Sequence, residues 1–162
     1  ECNALVEPLP APRGWSAAGD RIGPAQSEVL PDGLQRAVDA VEARLRACGL
    51  DWPGAAAVGA DLPAGLLAGH DLEEHLRYLA ARGRAVMVAD DYPVHAAALA
   101  ELLPRLRAHF AAEGSLNFAA FRELTGLSRK LGIPLLEHLD AAGLTRRVGD
   151  LRTIGPALKK EA

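Results

Sequence analysis

Between residues 34 and 48 the apolar side chains Leu34, Val38, Val41 and Leu45 recur at helical spacing, and Gly49 ends the run. The stretch from Asp51 to Gly69 is cut by Pro53, Pro63 and several glycines, which leaves room for a short helix around Asp61 to Leu67. Asp71 then caps a helix through Arg82, with Leu72, Leu76 and Leu79 on one face. Ala85 to Val88 reads as a strand, Asp90-Asp91 as a turn, and Tyr92-Pro93-Val94 as a second strand.

The second half repeats that order. His95 to Glu113 reads as a helix carrying Leu99, Leu102, Leu103, Leu106 and Phe110 inward, although Pro104 stands in its middle and the residues around it give no reason why. Asn117 caps a short helix with Phe118, Phe121 and Leu124. Thr125-Gly126 turns, and Ser128 caps a third helix to Ala142, closed by Gly143. Thr145 to Val148, Gly149-Asp150 and Leu151 to Ile154 read as strand, tight turn and strand. At an offset of 60 residues Leu76 matches Leu136, Leu79 matches Leu139, Gly83 matches Gly143, Val88 matches Val148 and Asp90 matches Asp150. Helix, helix, turn, helix and a two-stranded wing is the order of a winged helix-turn-helix. The expected fold is therefore mainly α with small β wings, in tandem winged helix-turn-helix modules. Residues 32–93 form one module and 94–158 the next. Residues 1–31, rich in Pro, Gly and Ala, form a linker or the end of a preceding winged-helix module.

Composition adds limits. Among 162 residues, 49% are hydrophobic and only 4% aromatic, so a globular core must come from Leu, Val and Ala. No apolar run reaches the ~18 residues of a membrane span, and the first ten residues lack signal-peptide character. The chain opens without Met and reads as a piece of a longer protein. Cys2 and Cys48 have no metal-ligand spacing and form no disulfide framework, which fits a reducing, cytoplasmic home. Charge is uneven: residues 1–93 hold 8 Arg/Lys against 14 Asp/Glu, and residues 94–162 hold 10 against 7. A basic second half points to an anionic partner such as nucleic acid.

The candidate chemistry lies in that half. In a helix-turn-helix the third helix presents its N-terminal end, where free N–H groups and the dipole favour phosphate. Ser128, Arg129 and Lys130 stand there, and Arg122 lies on the helix before. Arg146, Arg147 and Arg152 flank the wing turn, although strand alternation turns Arg146 and Arg147 to opposite faces. Arginine suits phosphate through its planar fork and also stacks on exposed bases. His70 and His75 lie near Asp71, Glu73 and Glu74, but five residues apart they do not share a helical face, and no metal is expected. Trp15 and Trp52 read as packing residues. The GxxxxGK[ST] phosphate loop, the GxSxG elbow and the HExxH pair are all missing from the sequence, so it offers no catalytic group or nucleotide loop of those kinds.

The run from Phe121 to Asp150, with Ser128-Arg129-Lys130, Ile133-Pro134-Leu135-Leu136-Glu137, Leu139-Asp140, Gly143 and Thr145-Arg146-Arg147-Val148-Gly149-Asp150, resembles the last winged-helix module of the bacterial selenocysteine-specific elongation factor family. Pro134 belongs to that pattern. The resemblance covers about residues 95–155, and residues 34–93 resemble the preceding, more variable module. The segment from Trp52 to Gly69 departs from the pattern and reads as a spacer. The family implies an N-terminal GTPase outside this chain, with GTP and magnesium expected only there and no cofactor here. It implies an mRNA stem-loop that marks a UGA codon for selenocysteine as the partner of the last module. The ribosome and selenocysteinyl-tRNA would be met through the other domains. By motif match the stem-loop role falls on the Ser128-Arg129-Lys130 helix start and the wing arginines. A DNA-binding winged-helix regulator and a protein-interaction module remain open readings of the same fold.

Overall fold

The computed structural model describes residues 16–18, 21–23, 30–67 and 69–160. Two antiparallel strands come first, β1 (Ser16–Ala18) and β2 (Arg21–Gly23), paired Ala17 to Ile22. Then follow α1 (Asp32–Cys48), α2 (Ala55–Asp61), α3 (Leu72–Ala81) and the wing β3 (Ala85–Ala89) with β4 (Tyr92–His95). The order returns in α4 (Ala96–Glu113), α5 (Phe118–Thr125), α6 (Arg129–Ala141), β5 (Thr145–Val148), β6 (Leu151–Ile154) and the closing α7 (Pro156–Lys160). The fold is thus mainly helical, with tandem winged helices. The hairpin β1–β2 falls where a linker or the end of a preceding module is expected.

Sequence periodicity places most elements within a residue or two. The short helix of the first module differs: α2 occupies Ala55–Asp61, upstream of the expected Asp61 to Leu67, and β1, β2 and α7 are elements that the periodicity does not mark. The Ala55-Ala56-Ala57 start of α2 has the strongest helix propensity in the segment, and Val58 drives it into the core with no exposed surface. Pro104 leaves α4 continuous. Its ring lies on the exposed side, where water can satisfy the carbonyl that lacks a donor.

The 60-residue repeat has a structural counterpart. Gly83 and Gly143 both take left-handed backbone, at φ 69° and 70°, to turn a helix end into a wing. In each, the next amide folds back on the helix: Arg84 N–H to Leu79 O and Leu144 N–H to Leu139 O, both at 2.9 Å. The equivalence then slips by one. The register of β3 with β4 shifts between Met87 and Ala89, whereas β5 and β6 pair without interruption. That bulge makes Ala89, not Val88, the counterpart of Val148, and Asp91, not Asp90, the counterpart of Asp150.

The apolar core runs through both modules, from Val38, Val41 and Leu79 to Leu102, Leu106, Phe121, Leu135 and Leu139. Tyr92 is buried, and its hydroxyl donates to the Leu50 carbonyl at 2.6 Å; burial pushes its pKa well above the usual phenol range. Burial also raises the Cys48 thiol, which disfavours the reactive thiolate.

No spacer separates the modules, because β4 ends at His95 and α4 begins at Ala96. His95 caps α4: its Nδ1 accepts from Ala97 N–H at 3.1 Å, so Nε2 carries the proton and donates to Glu42 at 3.2 Å. Arg84 reaches the same Glu42 oxygen at 2.8 Å. The cap of one module is thereby tied to α1 of the other. His95→Ala removes both bonds from a buried position, and we expect it to lower unfolding free energy by about 2 kcal/mol, read from a urea denaturation midpoint.

Candidate nucleic-acid interface

The helix-turn-helix of the second module is built by short local bonds. Asn117 Oδ1 accepts from Ala120 N–H at 2.8 Å and starts α5. Thr125 Oγ1 donates to the Phe121 carbonyl at 2.8 Å and accepts from Leu127 N–H at 3.3 Å, which holds the turn while Leu127 is buried. Arg105, on α4, donates to the Leu124 carbonyl at the end of α5. Ser128 occupies the N-cap position of α6 with extended backbone, yet its side chain makes no capping bond. Its hydroxyl and the first amides of α6 are thus uncommitted.

At this junction Phe118, Ala119, Arg122, Glu123, Ser128 and Arg129 line an open groove of about 650 Å³. The Arg129 guanidinium lies 5.2 Å from the centre of the Phe118 ring, a cation–π distance. Arg122, Ser128 and Arg129 are all exposed. The groove therefore combines an aromatic wall, two permanent cations and the positive end of a helix, with the Glu123 carboxylate at its edge. Phe118 and Phe121 are both carried by α5. Only Phe121 is fully buried, and half-buried Phe118 turns its ring to the groove.

Lys130 is exposed too, but lines a different cavity, between α6 and the first wing. On the second wing, register puts Arg146 opposite Thr153 and Arg147 opposite Arg152. Arg146 and Arg147 thus point to opposite faces, as strand alternation requires, and both are exposed, as is the rest of the wing tip through Leu151. Arg147 Nε donates to the Gly149 carbonyl at 3.1 Å and helps close the turn.

Arg152, expected with the wing arginines on the surface, is buried instead. It is 6% exposed, and its Nε donates to Asp140 at 2.9 Å. The same carboxylate accepts from Thr145 Oγ1 at 2.5 Å. Directly across from Arg147 but nearer the core, Arg152 turns inward and leaves the surface set. Among the described residues, Arg122, Arg129, Lys130, Arg146 and Arg147 enter no ion pair; in the first module Arg44 pairs with Asp61, Arg77 with Glu73 and Arg84 with Glu42, while Arg36, Arg46 and Arg82 enter none. Unpaired cations thus occur in both modules, and those of the second stand on α5, α6 and the wing.

Of the two histidines considered for a metal, His75 donates from Nδ1 to the Asp71 carbonyl at 2.9 Å and His70 Nδ1 meets Glu74 at 3.0 Å. Among the described residues, no three His, Cys, Asp or Glu side chains are grouped to hold a metal ion. Nor is any described helix long and apolar enough to cross a membrane.

Residues 108–154 match the family model described as the winged helix of elongation factor SelB. The selenocysteine-specific elongation factor of Desulfomicrobium baculatum is 34% identical over 88 residues, which cover 54% of this chain and 14% of that protein's length. The mRNA-binding domain of elongation factor SelB from E. coli, solved in complex with SECIS RNA, shares the fold at a TM-score of 0.59 and 24% identity, over 74% of this chain and 97% of that one. The chain is thus similar to elongation factor SelB, and the family model's match falls on the second winged helix, residues 108–154.

Proposed function

We propose that this chain binds an mRNA stem-loop, the hairpin that directs selenocysteine incorporation at UGA, as the RNA-holding part of a cytoplasmic translation elongation factor. The groove at the start of α6 carries this reading, because Arg122 and Arg129 stand free beside the Phe118 ring and uncommitted helix amides. A-form RNA hides its base edges in a narrow groove, so specific recognition needs a loop whose bases are splayed out. A guanidinium over an aromatic ring offers a splayed base a stacking surface, and the helix start and the second arginine hold the phosphates around it. Arg146 and Arg147 extend the cationic rim along the wing. The complex of the E. coli domain with SECIS RNA supports the choice of partner.

In this reading the chain is a tether without catalysis or cofactor. GTP, magnesium, the ribosome and selenocysteinyl-tRNA belong to other parts of such a factor. The hairpin β1–β2 ends in Ile22-Gly23-Pro24, as the second wing ends in Ile154-Gly155-Pro156, which supports reading it as the wing of a further module. A DNA regulator is less well supported. A recognition helix must lie in a major groove along its length, and one side of α6 is packed against β3 of the first wing.

The test is binding of a SECIS-type hairpin RNA and of duplex DNA carrying the stem sequence, across a salt series. Hairpin preference with steep salt dependence is expected, and duplex preference would defeat the reading. Arg122→Ala with Arg129→Ala should weaken hairpin binding at least tenfold and flatten the salt slope by about two units, on counterion-release grounds. Arg82→Ala, in the first module, should leave both unchanged.

A further inference from the structure

The cavity between the two modules, about 310 Å³, brings Lys130 and Pro134 of α6 against Asp90, Asp91 and Met87 of the first wing. Asp90 and Asp91 form the exposed turn of that wing, and among the described residues neither pairs with Lys130 or any other cation. Successive residues on a helix lie about 100° apart. Arg129 turns to the Phe118 groove, and Lys130 turns to this cavity, which the paired Glu73 and Arg77 also line. The start of α6 thus has a cationic, aromatic side and a side guarded by two free carboxylates.

We propose that the first wing acts as a selectivity element, with Asp90 and Asp91 keeping continuous duplexes off α6 while leaving the Phe118–Arg129 groove open to a loop. The inference rests on the RNA-binding reading and deepens it. A duplex docked at the N-terminal end of α6 brings its backbone past Lys130, beside the turn of the first wing. There its phosphates meet two uncompensated carboxylates, and like-charge juxtaposition suppresses wrong partners. A stem-loop that enters from the α5 side keeps its backbone away from them. The first module, which sequence alone leaves without a role, becomes part of what the second module accepts.

The experiment uses the full chain with Asp90→Asn and Asp91→Asn together. Asparagine suits a two-residue hairpin turn as well as aspartate does, so the fold is preserved. Fluorescence anisotropy compares a SECIS-type hairpin with a blunt RNA duplex of its stem, at low and at physiological salt. Duplex affinity is expected to rise about tenfold at low salt, with a smaller rise once salt screens the charges, while hairpin affinity changes less than about twofold. Asp32→Asn with Asp39→Asn removes the same charge from α1 and should leave the ratio unchanged. An unchanged duplex affinity overturns the proposal, as does an equal rise for both RNAs or an equal effect of the α1 pair. A fall in hairpin affinity overturns it as well, since the carboxylates would then be RNA contacts. If the unaltered chain fails to bind the hairpin at all, the underlying RNA reading fails instead.

Discussion

Arg152→Ala is expected to lower unfolding free energy by about 3 kcal/mol, the usual cost of stranding one partner of a buried ion pair. The side chain is 8% exposed and its partner Asp140 is 22% exposed. Asp140 sits in the last turn of α6, where the negative end of the helix dipole already disfavours a carboxylate. Without the guanidinium, only the Thr145 hydroxyl remains to hold it. The backbone of Arg152 also exchanges two 2.8 Å bonds with Leu116, which joins the segment before α5 to the wing. Loss of the side chain should therefore loosen the wing and the helix-turn-helix together. Urea denaturation measures the effect, and Arg152→Met with Asp140→Leu should recover much of it, because a well-packed apolar pair can replace a buried ionic one. At a temperature where Arg152→Ala stays folded, hairpin affinity should persist. An unchanged denaturation midpoint would return Arg152 to the candidate RNA surface.

Gly155→Ala is expected to be as damaging, for a steric reason. A Cβ at this position would lie 2.1 Å from the Gly143 carbonyl oxygen and 2.6 Å from the Leu144 carbonyl carbon. Both are backbone atoms, and no rotamer change can move them aside. Gly155 N–H also donates to Leu144 O at 2.8 Å, and Gly143 O accepts from Ala157 N–H at 3.0 Å, so displacement would break the bonds that seat α7 on the wing. We expect a loss of about 3 kcal/mol, the upper range for forced overpacking, measured as a fall in melting temperature. Gly59→Ala provides the contrast. It adds a methyl group inside α2 with nothing within 4 Å, and should raise stability by up to about 1 kcal/mol through helix propensity.

Local periodicity carries most of the fold. Leu76 and Leu79, echoed by Leu136 and Leu139, mark helix faces that are buried in both modules. Gly83 and Gly143 mark the exits into the wings. What local pattern misses is settled by contacts distant in sequence. The leucines Leu66 and Leu67 draw the expected α2 downstream, but the core accepts Val58 instead. The inward turn of Arg152 depends on Asp140, which becomes its neighbour only when the wing folds back along α6. The candidate site is legible in its cations, since Arg122, Arg129, Arg146 and Arg147 reach the surface as their positions imply. Its aromatic wall is not, because Phe118 and Phe121 share helical spacing and only packing against α6 tells them apart. The separation of Arg129 from Lys130 likewise depends on the first wing, whose placement no spacing along the chain reports.

The unbroken passage from β4 into α4 has a mechanical consequence. With Ala96 following His95 directly, and His95 bonded to Glu42, there is no slack in which a pull could dissipate. A force applied to an RNA held at the start of α6 would reach α1 as torque through a stiff lever. Inserting a short Gly/Ser stretch between His95 and Ala96 would turn that lever into a swivel, leaving each end intact but uncoupling what one does from what the other feels.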